Sequence, residues 1–215
     1  MKRTSQEKRV PRSLETNSAS AISERTARAQ RKTNEVDVTV TLNIDGRGKT
    51  NVSTGTRFLD HVLVTLARHA LFDLDVTATG DLKHHVCEDV ALALGEALGK
   101  ALAEKKGIRR FGSAYVPMED ALARAVVDVG GRPFVNLQLQ FASKEIEDLT
   151  TEDVEHFFHS LAVACRLDLH VTILYGKNDH HKAEAATKAL GLALREAVAY
   201  EARALYEIPS TKGVL

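Results

Sequence analysis

The sequence is poor in cysteine, has no surplus of charge of either sign and contains no long hydrophobic run. Its two cysteines, Cys87 and Cys165, lie far apart in apolar or helical sequence, which argues against a disulfide framework and for free thiols in a reducing compartment. Lys and Arg together number 29, as do Asp and Glu, so no net charge draws the chain to nucleic acid or to an anionic membrane. Because no apolar run approaches the roughly 20 residues of a membrane span, we expect a cytoplasmic globular protein.

The first 24 residues differ from the rest of the chain. Residues 1–24 are basic at first, then rich in Ser, Thr and Asn, with almost no large apolar side chain. This composition predicts a disordered tail. An organellar transit peptide is the alternative, but Glu7, Glu15 and Glu24 argue against it because such presequences are poor in acidic residues.

An internal repeat organises the remainder. The helical spacing of apolar residues in 57–70 recurs 95 positions later, and the same shift carries His61 onto His156. After the strand-like runs 72–79 and 168–175 the offset becomes 96. The chain therefore contains two copies of one unit, with one residue inserted.

Each copy is predicted to contain two strands, a helix, a strand and a helix. Two alternating runs precede the first helix in each copy, joined at Asp45-Gly46 in one and at Gly130-Gly131 in the other. The order β-β-α-β-α predicts an α+β fold in which sheets carry helices on one face. The predicted strand runs ahead of the helices are 36–44, 49–54, 122–129 and 132–141.

These patterns divide the chain into four segments. After the tail, residues 25–118 are predicted to form the first half-domain with its linker, and residues 119–206 the second. Residues 207–215 form a C-terminal tail. The stretch 107–118, which joins the halves, is a candidate for a further strand.

Four of the nine histidines form His-His pairs, and each pair has a Glu three residues after its second His, at the start of an amphipathic helix. Residues i and i+4 project from one face of a helix, so the first His and the Glu are able to grip one ion, provided that the helix already includes that His. The second His is turned about 100° away and suits a different ion. The two motifs are His84-His85-Val-Cys-Glu88 and His180-His181-Lys-Ala-Glu184.

Two ions related by the duplication predict a crossed arrangement of ligands. Each ion takes the first His and the Glu of one pair with the second His of the other, and the repeat supplies a further imidazole to each ion. Imidazole and carboxylate ligands without thiolate suit Mn²⁺, Fe²⁺, Co²⁺ or Zn²⁺. The sequence leaves open whether one chain or several supply them. The predicted sets are His180, Glu184 and His85 for one ion, and His84, Glu88 and His181 for the other, completed by His61 and His156.

Solvated or core histidines that cap helices are the alternative interpretation, with Asp81 and Asp179 as neighbouring acids. A single His-His-x-x-Glu favours that alternative, but two copies at a shared offset, each with a third His at the same relative place, favour metal. Cys87 lies inside the first motif as a soft-ligand candidate. Because its repeat equivalent is Ala183, we interpret Cys87 as a small packed residue.

Seven short motifs carry a family resemblance. They are Arg31-Lys-Thr-Asn-Glu35, Phe58-Leu-Asp-His61, His84-His-Val-Cys-Glu-Asp89, Arg110-Phe-Gly112, Gly131-Arg-Pro133, Asn178-Asp-His-His-Lys-Ala-Glu184 and Pro209-Ser-Thr-Lys212. With these motifs the chain resembles the imidazoleglycerol-phosphate dehydratase family of histidine biosynthesis, from about Arg25 to Lys212. It departs from the family at Met118-Glu119-Asp120, where Met-Asp-Glu is more usual, and at Thr187, where an aromatic is usual.

The resemblance implies a hydro-lyase that removes water from D-erythro-imidazole-glycerol phosphate to give imidazole-acetol phosphate, with two Mn²⁺ per active site. It implies the ribosomal protein S5 domain 2-like fold, a duplicated α+β half-domain, in agreement with the repeat. It also implies a homo-oligomer of 24 subunits with sites at subunit contacts. The expected ligand is a phosphorylated imidazole, and neither nucleic acid nor a membrane is an expected partner.

The difficult chemical step is loss of a proton from a carbon next to the imidazole. Imidazole bound between two ions through both nitrogens would lose its N–H, because metal coordination lowers the pKa of a ligand. The imidazolate would then expel the adjacent hydroxyl, and loss of the C–H proton would give an enol that tautomerises to the ketone. We predict Glu35 as an acid/base contact to the diol, and Glu184 as a metal ligand that also relays protons.

Cationic and hydroxyl side chains that do not bind metal match the family's phosphate positions, and guanidinium forks suit phosphate oxygens bidentately. His69, two turns beyond His61, is predicted as a further substrate contact. A solvated position in a linker, turn, helix or tail is the alternative for each phosphate contact. The predicted phosphate contacts are Arg110, Arg132, Lys188, Ser210 and Lys212.

Two other functions compete with dehydration. A dinuclear phosphoesterase would also use two ions and basic residues, but its signature is a bridging carboxylate with several Asp ligands, whereas His dominates here. Release of free phosphate would favour it. A protein that stores metal, or uses metal only to cement subunits, would have coordinatively closed sites and no need of phosphate contacts.

Overall fold

A computed structural model describes residues 24–215. The predicted disordered tail therefore lies outside the described residues, apart from Glu24. The described chain contains ten strands and four long helices. In chain order they are β1 (Thr26–Lys32), β2 (Val36–Asn43), β3 (Thr50–Ser53), α1 (Arg57–Ala70), β4 (Asp73–Gly80), α2 (Lys83–Leu102), β5 (Phe111–Met118), β6 (Ala121–Asp128), β7 (Phe134–Gln138), β8 (Glu145–Ile146), β9 (Leu149–Thr150), α3 (Thr151–Cys165), β10 (Asp168–Tyr175) and α4 (Asp179–Val198).

Two four-stranded sheets repeat the same topology. The first has the order β1-β2-β4-β3 and the second the order β5-β6-β10-β7. In each sheet the last pair is parallel and the other two pairs are antiparallel. The duplicated α+β fold expected from the sequence repeat is therefore confirmed.

Each half begins with one more strand than the predicted β-β-α-β-α order. In the first half the added strand is β1, and in the second it is β5. β5 arises from the joining stretch 107–118 and pairs with β6 along its whole length, from Phe111 opposite Asp128 to Met118 opposite Ala121. This segment therefore belongs to the second sheet.

The four helices form the layer in which the two halves meet. α2 packs on the first sheet and against α3 of the other half, while α4 packs on the second sheet and against α1. Alternate residues of the central strands are buried toward these helices, as in β2 from Val36 to Leu42. The core is thus continuous across the halves. None of the helices in residues 24–215 has the length and hydropathy that crossing a bilayer requires.

Glycine lets the helices of the two halves approach closely. A Cβ atom on Gly95 of α2 would lie 2.6 Å from the carbonyl oxygen of Leu161 in α3. Its repeat equivalent, Gly191 of α4, would place a Cβ 2.9 Å from the carbonyl oxygen of Leu66 in α1. Both positions require a residue without a side chain, because backbone atoms of a packed helix have little room to yield.

A short ribbon distinguishes the second half from the first. Between β7 and α3 the chain forms the hairpin β8–β9, whose turn consists of Glu147 and Asp148. Glu147 has a φ of 56°, a left-handed conformation that is uncommon for a residue other than glycine. No such ribbon precedes α1, where only three residues follow β3. This insertion was not predicted from the sequence.

Substitution of Gly95 by Ala is expected to lower the free energy of unfolding by about 1–3 kcal/mol, because the added methyl overpacks the α2–α3 crossing. Gly99, one turn further along α2, is the matched control, since its Cβ would meet nothing closer than 4.0 Å. Gly99→Ala is expected to raise the same free energy by about 0.5–1 kcal/mol. Urea unfolding of the metal-free variants measures both, and equal effects would contradict a close helix crossing.

Candidate active site

Two groups of side chains with metal-ligand chemistry form at matching places in the two halves. The first contains His61, His180 and Glu184, whose ligand atoms lie within 4.8 Å of one another. His61 Nε2 lies 3.1 Å from Glu184 Oε2, and His180 Nε2 lies 3.3 Å from the same oxygen. We refer to this as the first ligand group.

The second ligand group contains His84, Glu88 and His156, again within 4.8 Å of one another. The rings of His84 and His156 stack with a centroid distance of 5.2 Å and an interplanar angle of 16°. His156 Nε2 lies 3.9 Å from Glu88 Oε1. In both groups a helix of one half therefore contributes a single imidazole to the His–Glu pair of the other half.

The second histidine of each pair lies outside both ligand groups. His85 Nδ1 lies 2.8 Å from Asp81 Oδ1 and 3.9 Å from Glu35 Oε2. His181 Nδ1 lies 2.5 Å from Asp120 Oδ1. The predicted joining of His85 and His181 to the opposite groups does not occur within one chain. His61 and His156 make the crossing instead.

Helix starts set the spacing of the paired ligands. α4 begins at Asp179 because the side chain of Asn178 accepts hydrogen bonds from the backbone N–H groups of His180 and His181. His180 therefore already lies in the first turn, one helical turn from Glu184 on the same face. α2 begins at Lys83, so the corresponding pair in the first half has the same geometry. Each helix therefore includes the first His of its pair, as the predicted sharing of one ion by that His and the Glu requires.

The donors present fit a bound metal ion. Each ligand group offers two imidazole nitrogens and one carboxylate, a set that suits first-row divalent cations. The Nδ1 atom of one histidine in each group lies beside a further carboxylate. His84 Nδ1 lies 2.6 Å from Asp153 Oδ1, and His180 Nδ1 lies 3.1 Å from Glu147 Oε1. A carboxylate at Nδ1 leaves Nε2 for an ion. Cys87 is buried and donates to the backbone oxygen of Asp153, as expected for a packed residue.

Charges around the first ligand group keep its carboxylate ionised. Burial raises the pKa of Glu184, but hydrogen bonds from Lys188 and His61 outweigh it and hold the pKa below its ordinary value. Lys188 Nζ lies 2.7 Å from Glu184 Oε1. Burial and the positive charge of Lys188 lower the pKa of His69, which lies beside them. Lys188 and His69, which were predicted as substrate contacts, therefore lie beside the first ligand group.

A cavity of about 250 Å³ opens in front of the first ligand group. Its lining includes His61 and His180 of the first ligand group and both residues of the β8–β9 turn. Asp148 of this turn accepts hydrogen bonds of 2.9 Å from the backbone N–H groups of Arg57 and Phe58 at the start of α1. Burial raises the pKa of Asp148, but these hydrogen bonds outweigh it, so the pKa lies below its ordinary value. The ribbon is thereby fixed over the ligands.

The other predicted phosphate contacts meet in a separate cavity of about 410 Å³. Arg110 grips both oxygens of Asp128, at 2.7 and 2.9 Å, and donates a third hydrogen bond of 2.9 Å to the backbone oxygen of Pro209. It thus ties the C-terminal segment to the second sheet. The residues brought together here are Arg110, Arg132, Ser210 and Lys212.

The two cavities lie at opposite ends of the second sheet. Asp168 pairs with Asp128 near Arg110, whereas Tyr175, at the other end of β10, lies just before the start of α4 and its ligands. Eight strand residues that rise 3.3 Å each separate these ends by roughly 23 Å. One chain therefore does not bring its cationic C-terminal cavity to its own first ligand group.

Several acids that contact the histidines were not predicted from the sequence. Asp81 was predicted only as a neighbouring acid, and no role was predicted for Asp120, Glu147 or Asp153. All four lie in turns or at the start of a helix, outside the repeated motifs. The signal available was weak, because these carboxylates lie at no fixed spacing from the histidines that they contact.

Comparisons with known proteins agree on one family. The family model for imidazoleglycerol-phosphate dehydratase matches residues 54–194. The enzymes of that name from Zymomonas mobilis and Methanothermobacter thermautotrophicus are each 51% identical to this chain, over 89% and 90% of it and the whole of each relative. The crystal structure of the Staphylococcus aureus enzyme aligns with a TM-score of 0.76 at 32% identity, covering 82% of this chain and 99% of that one. The Pyrococcus furiosus structure gives 0.72 and 36%, covering 86% and 99%.

Replacement of Arg110 by Ala is expected to release the C-terminal segment, since the link to Pro209 and the fork to Asp128 are lost together. Each hydrogen bond to a charged group is worth about 1.5–3 kcal/mol. Amide hydrogen exchange of residues 207–213 should accelerate accordingly. Arg109→Ala is the control, because that half-exposed guanidinium lies 3.5 Å from Glu196 in a surface contact worth less than about 1 kcal/mol. Unchanged exchange in the Arg110 variant would refute the tie.

Proposed function

Because this chain belongs to the imidazoleglycerol-phosphate dehydratase family, we propose that its two ligand groups hold the metal ions at which imidazoleglycerol phosphate is dehydrated. The enzyme is a hydro-lyase of histidine biosynthesis, and its substrate is a phosphorylated imidazole. The observation that carries the metal proposal is the duplicated geometry, in which two imidazoles and a carboxylate converge twice at equivalent positions.

Mn²⁺ is the proposed ion, with two ions per active site. A donor set of imidazole and carboxylate without thiolate supports it, and three protein ligands per group leave positions for substrate in an octahedral shell. When bound, such ions withdraw electron density from an azole and lower the pKa of its N–H. His85 and His181 lie next to the groups in sequence but point elsewhere, which supports their use as ligands by another copy of the chain.

Glu35 is the proposed acid/base residue. Its side chain is 59% exposed and lies 3.9 Å from His85 Nδ1, so it is free to reach a substrate held at that histidine. Glu184 is proposed to bind metal and to relay protons. Its ion pair with Lys188 gives it a cationic partner besides the proposed metal ion. His69 and Lys188 are proposed to contact the substrate from the same helix crossing.

Phosphate recognition is assigned to the C-terminal cavity. Arg132 is exposed in this cavity, and Lys212 follows Ser210, whose hydroxyl accepts the backbone N–H of Lys212 at 3.2 Å. Arg110 has its fork on Asp128 and so presents a partly compensated charge. A phosphate anion at this place would be met by cationic and hydroxyl donors together.

A complete site therefore draws on more than one copy of the chain, and we propose a cytoplasmic assembly of 24 subunits. The separation of the ligand groups from the phosphate cavity within one chain supports assembly. The outer face of the second sheet supports it further. Phe111 and Tyr115 are 56% and 61% exposed on that face, where the equivalent positions of the first sheet carry Thr26 and Gln30. Exposed apolar patches on one copy of a duplicated sheet are typical of an interface.

The test begins with metal-stripped protein. Addition of Mn²⁺ is expected to restore ketone formation from imidazoleglycerol phosphate without release of free phosphate, and to raise the particle mass measured by light scattering in the same sample. Restored activity with an unchanged mass would contradict the shared site. Free phosphate as the main product would contradict dehydration and favour a phosphoesterase.

His156→Ala is expected to lose about half of the bound Mn²⁺, because one of the two ligand groups falls from three side chains to two. His159→Ala is the matched control, since His159 lies on the same helix and faces solvent. Elemental analysis of the purified, Mn²⁺-loaded proteins gives the ratio of metal to subunit. The same metal content in both variants would remove His156 from the ligand set.

Glu35→Gln is expected to lower kcat at least about 100-fold, because the amide cannot accept or donate a proton as a carboxyl does. The KM should change little, and so should the Mn²⁺ held by the first and second ligand groups, neither of which includes Glu35. Glu104→Gln, on an exposed turn, is the control and should retain its rate. Near-normal turnover of the Glu35 variant would overturn the acid/base assignment.

A further inference from the structure

Each of the four paired histidines presents Nδ1 to a carboxylate. The contacts come from four different places in the fold: the β4–α2 loop, the β5–β6 turn, the turn of the β8–β9 ribbon and the first turn of α3. The pairs are His85 with Asp81 at 2.8 Å, His181 with Asp120 at 2.5 Å, His180 with Glu147 at 3.1 Å and His84 with Asp153 at 2.6 Å.

A carboxylate in this place decides which nitrogen of the ring carries the proton. An ionised carboxylate only accepts hydrogen bonds, so the neutral imidazole must donate from Nδ1. The lone pair then lies on Nε2, and the ring is held in one orientation. All four rings are thereby prepared to bind through the same atom, whichever copy of the chain completes the site.

The four acids were not all inherited from the duplicated unit. At the position equivalent to Asp81 the second half has Lys177, and at the position equivalent to Asp153 the first half has Phe58. The halves have kept the hydrogen bond while changing the residue that makes it. A contact that recurs from unrelated positions is better explained by a requirement of the histidine than by common descent of the acid.

One equivalence links this pattern to Glu35. β1 and β2 in the first sheet correspond to β5 and β6 in the second, so Glu35, just before β2, corresponds to Asp120, just before β6. Asp120 holds His181 at 2.5 Å, whereas Glu35 stands 3.9 Å from His85, which Asp81 already holds. Asp81 thus makes the carboxylate contact to His85 Nδ1 in the first half, as Asp120 does to His181 Nδ1 in the second. The side chain of Glu35 is left exposed.

We propose that four acids, Asp81, Asp120, Glu147 and Asp153, are positioning residues that fix the four paired histidines with Nε2 unprotonated. Because Asp81 makes the contact to His85, the side chain of Glu35 is available for a different contact. The inference rests on the proposed function for the identity of the ion, but the tautomers of the rings exist in metal-free protein. The two claims are therefore separable by experiment.

Asp81 and Glu147 are the best positions to test, because both are exposed and their loss leaves the core intact. Asp81→Ala and Glu147→Ala are expected to weaken Mn²⁺ binding about 10- to 100-fold in calorimetric titrations. Asp81→Asn keeps an acceptor without the charge and should fall between Asp81→Ala and the wild type. Asp37→Ala, which removes an exposed acid that forms an ion pair with Lys32, is the control and should bind as the wild type does.

The second measurement uses metal-free protein labelled with ¹⁵N-histidine. In the wild type the paired histidines should appear as the tautomer protonated at Nδ1, and Asp81→Ala should shift one of them toward the Nε2-protonated form. Unchanged tautomers in both alanine variants would overturn the proposal, as would unchanged Mn²⁺ affinity. Absence of Mn²⁺ binding by the wild type would instead refute the proposed metal centre, and the tautomers would still decide the positioning role.

Discussion

The close crossing of helices from opposite halves is the constraint on which the ligand groups depend. α1 meets α4 at Gly191, and α2 meets α3 at Gly95, and in each case a methyl group would press on the backbone of the partner helix. Only at this separation does His61 reach Glu184, 123 residues away in sequence. Packing and chemistry are therefore coupled, because a crossing widened by one side chain would part the imidazole from the carboxylate.

The members of the two ligand groups could be singled out from the sequence because they lie on helices whose spacing is regular. His180 and Glu184 share a helix face by period alone, and the repeat then identifies their equivalents. β1 and β5 were harder to predict for a physical reason. Among the residues of β1 only Ala29 is buried. In β5 the aromatic Phe111 is exposed, while Gly112 packs on α4. Neither strand therefore shows the alternation of buried apolar and exposed polar residues by which strands are predicted.

Acids that contact the histidines escaped prediction because turns, not helices, deliver most of them. Glu147 reaches His180 only through the β8–β9 ribbon, which has no equivalent in the first half. Arg110 also has a role that was not predicted from the sequence, because its side chain makes structural hydrogen bonds. Arg25 precedes β1 as Arg110 precedes β5, and each forks onto an aspartate and donates to a backbone oxygen, Val198 and Pro209 respectively. Both arginines thus tie together segments that are distant in the chain, and a phosphate role for Arg110 would be added to this one.

The two halves differ at positions where an asymmetric substrate would need a residue in only one of them. Two ions, as proposed, would require two similar ligand sets, and the duplication has preserved the residues of both ligand groups. A substrate with one phosphate and one labile C–H bond has no such symmetry, so the residues that serve it need exist only once. Glu184 has Lys188 one turn further along the helix, whereas Leu92 stands at the equivalent place after Glu88. A carboxylate that already shares its charge with an ammonium group has less to offer a cation, and so the first ligand group should bind its ion less tightly than the second.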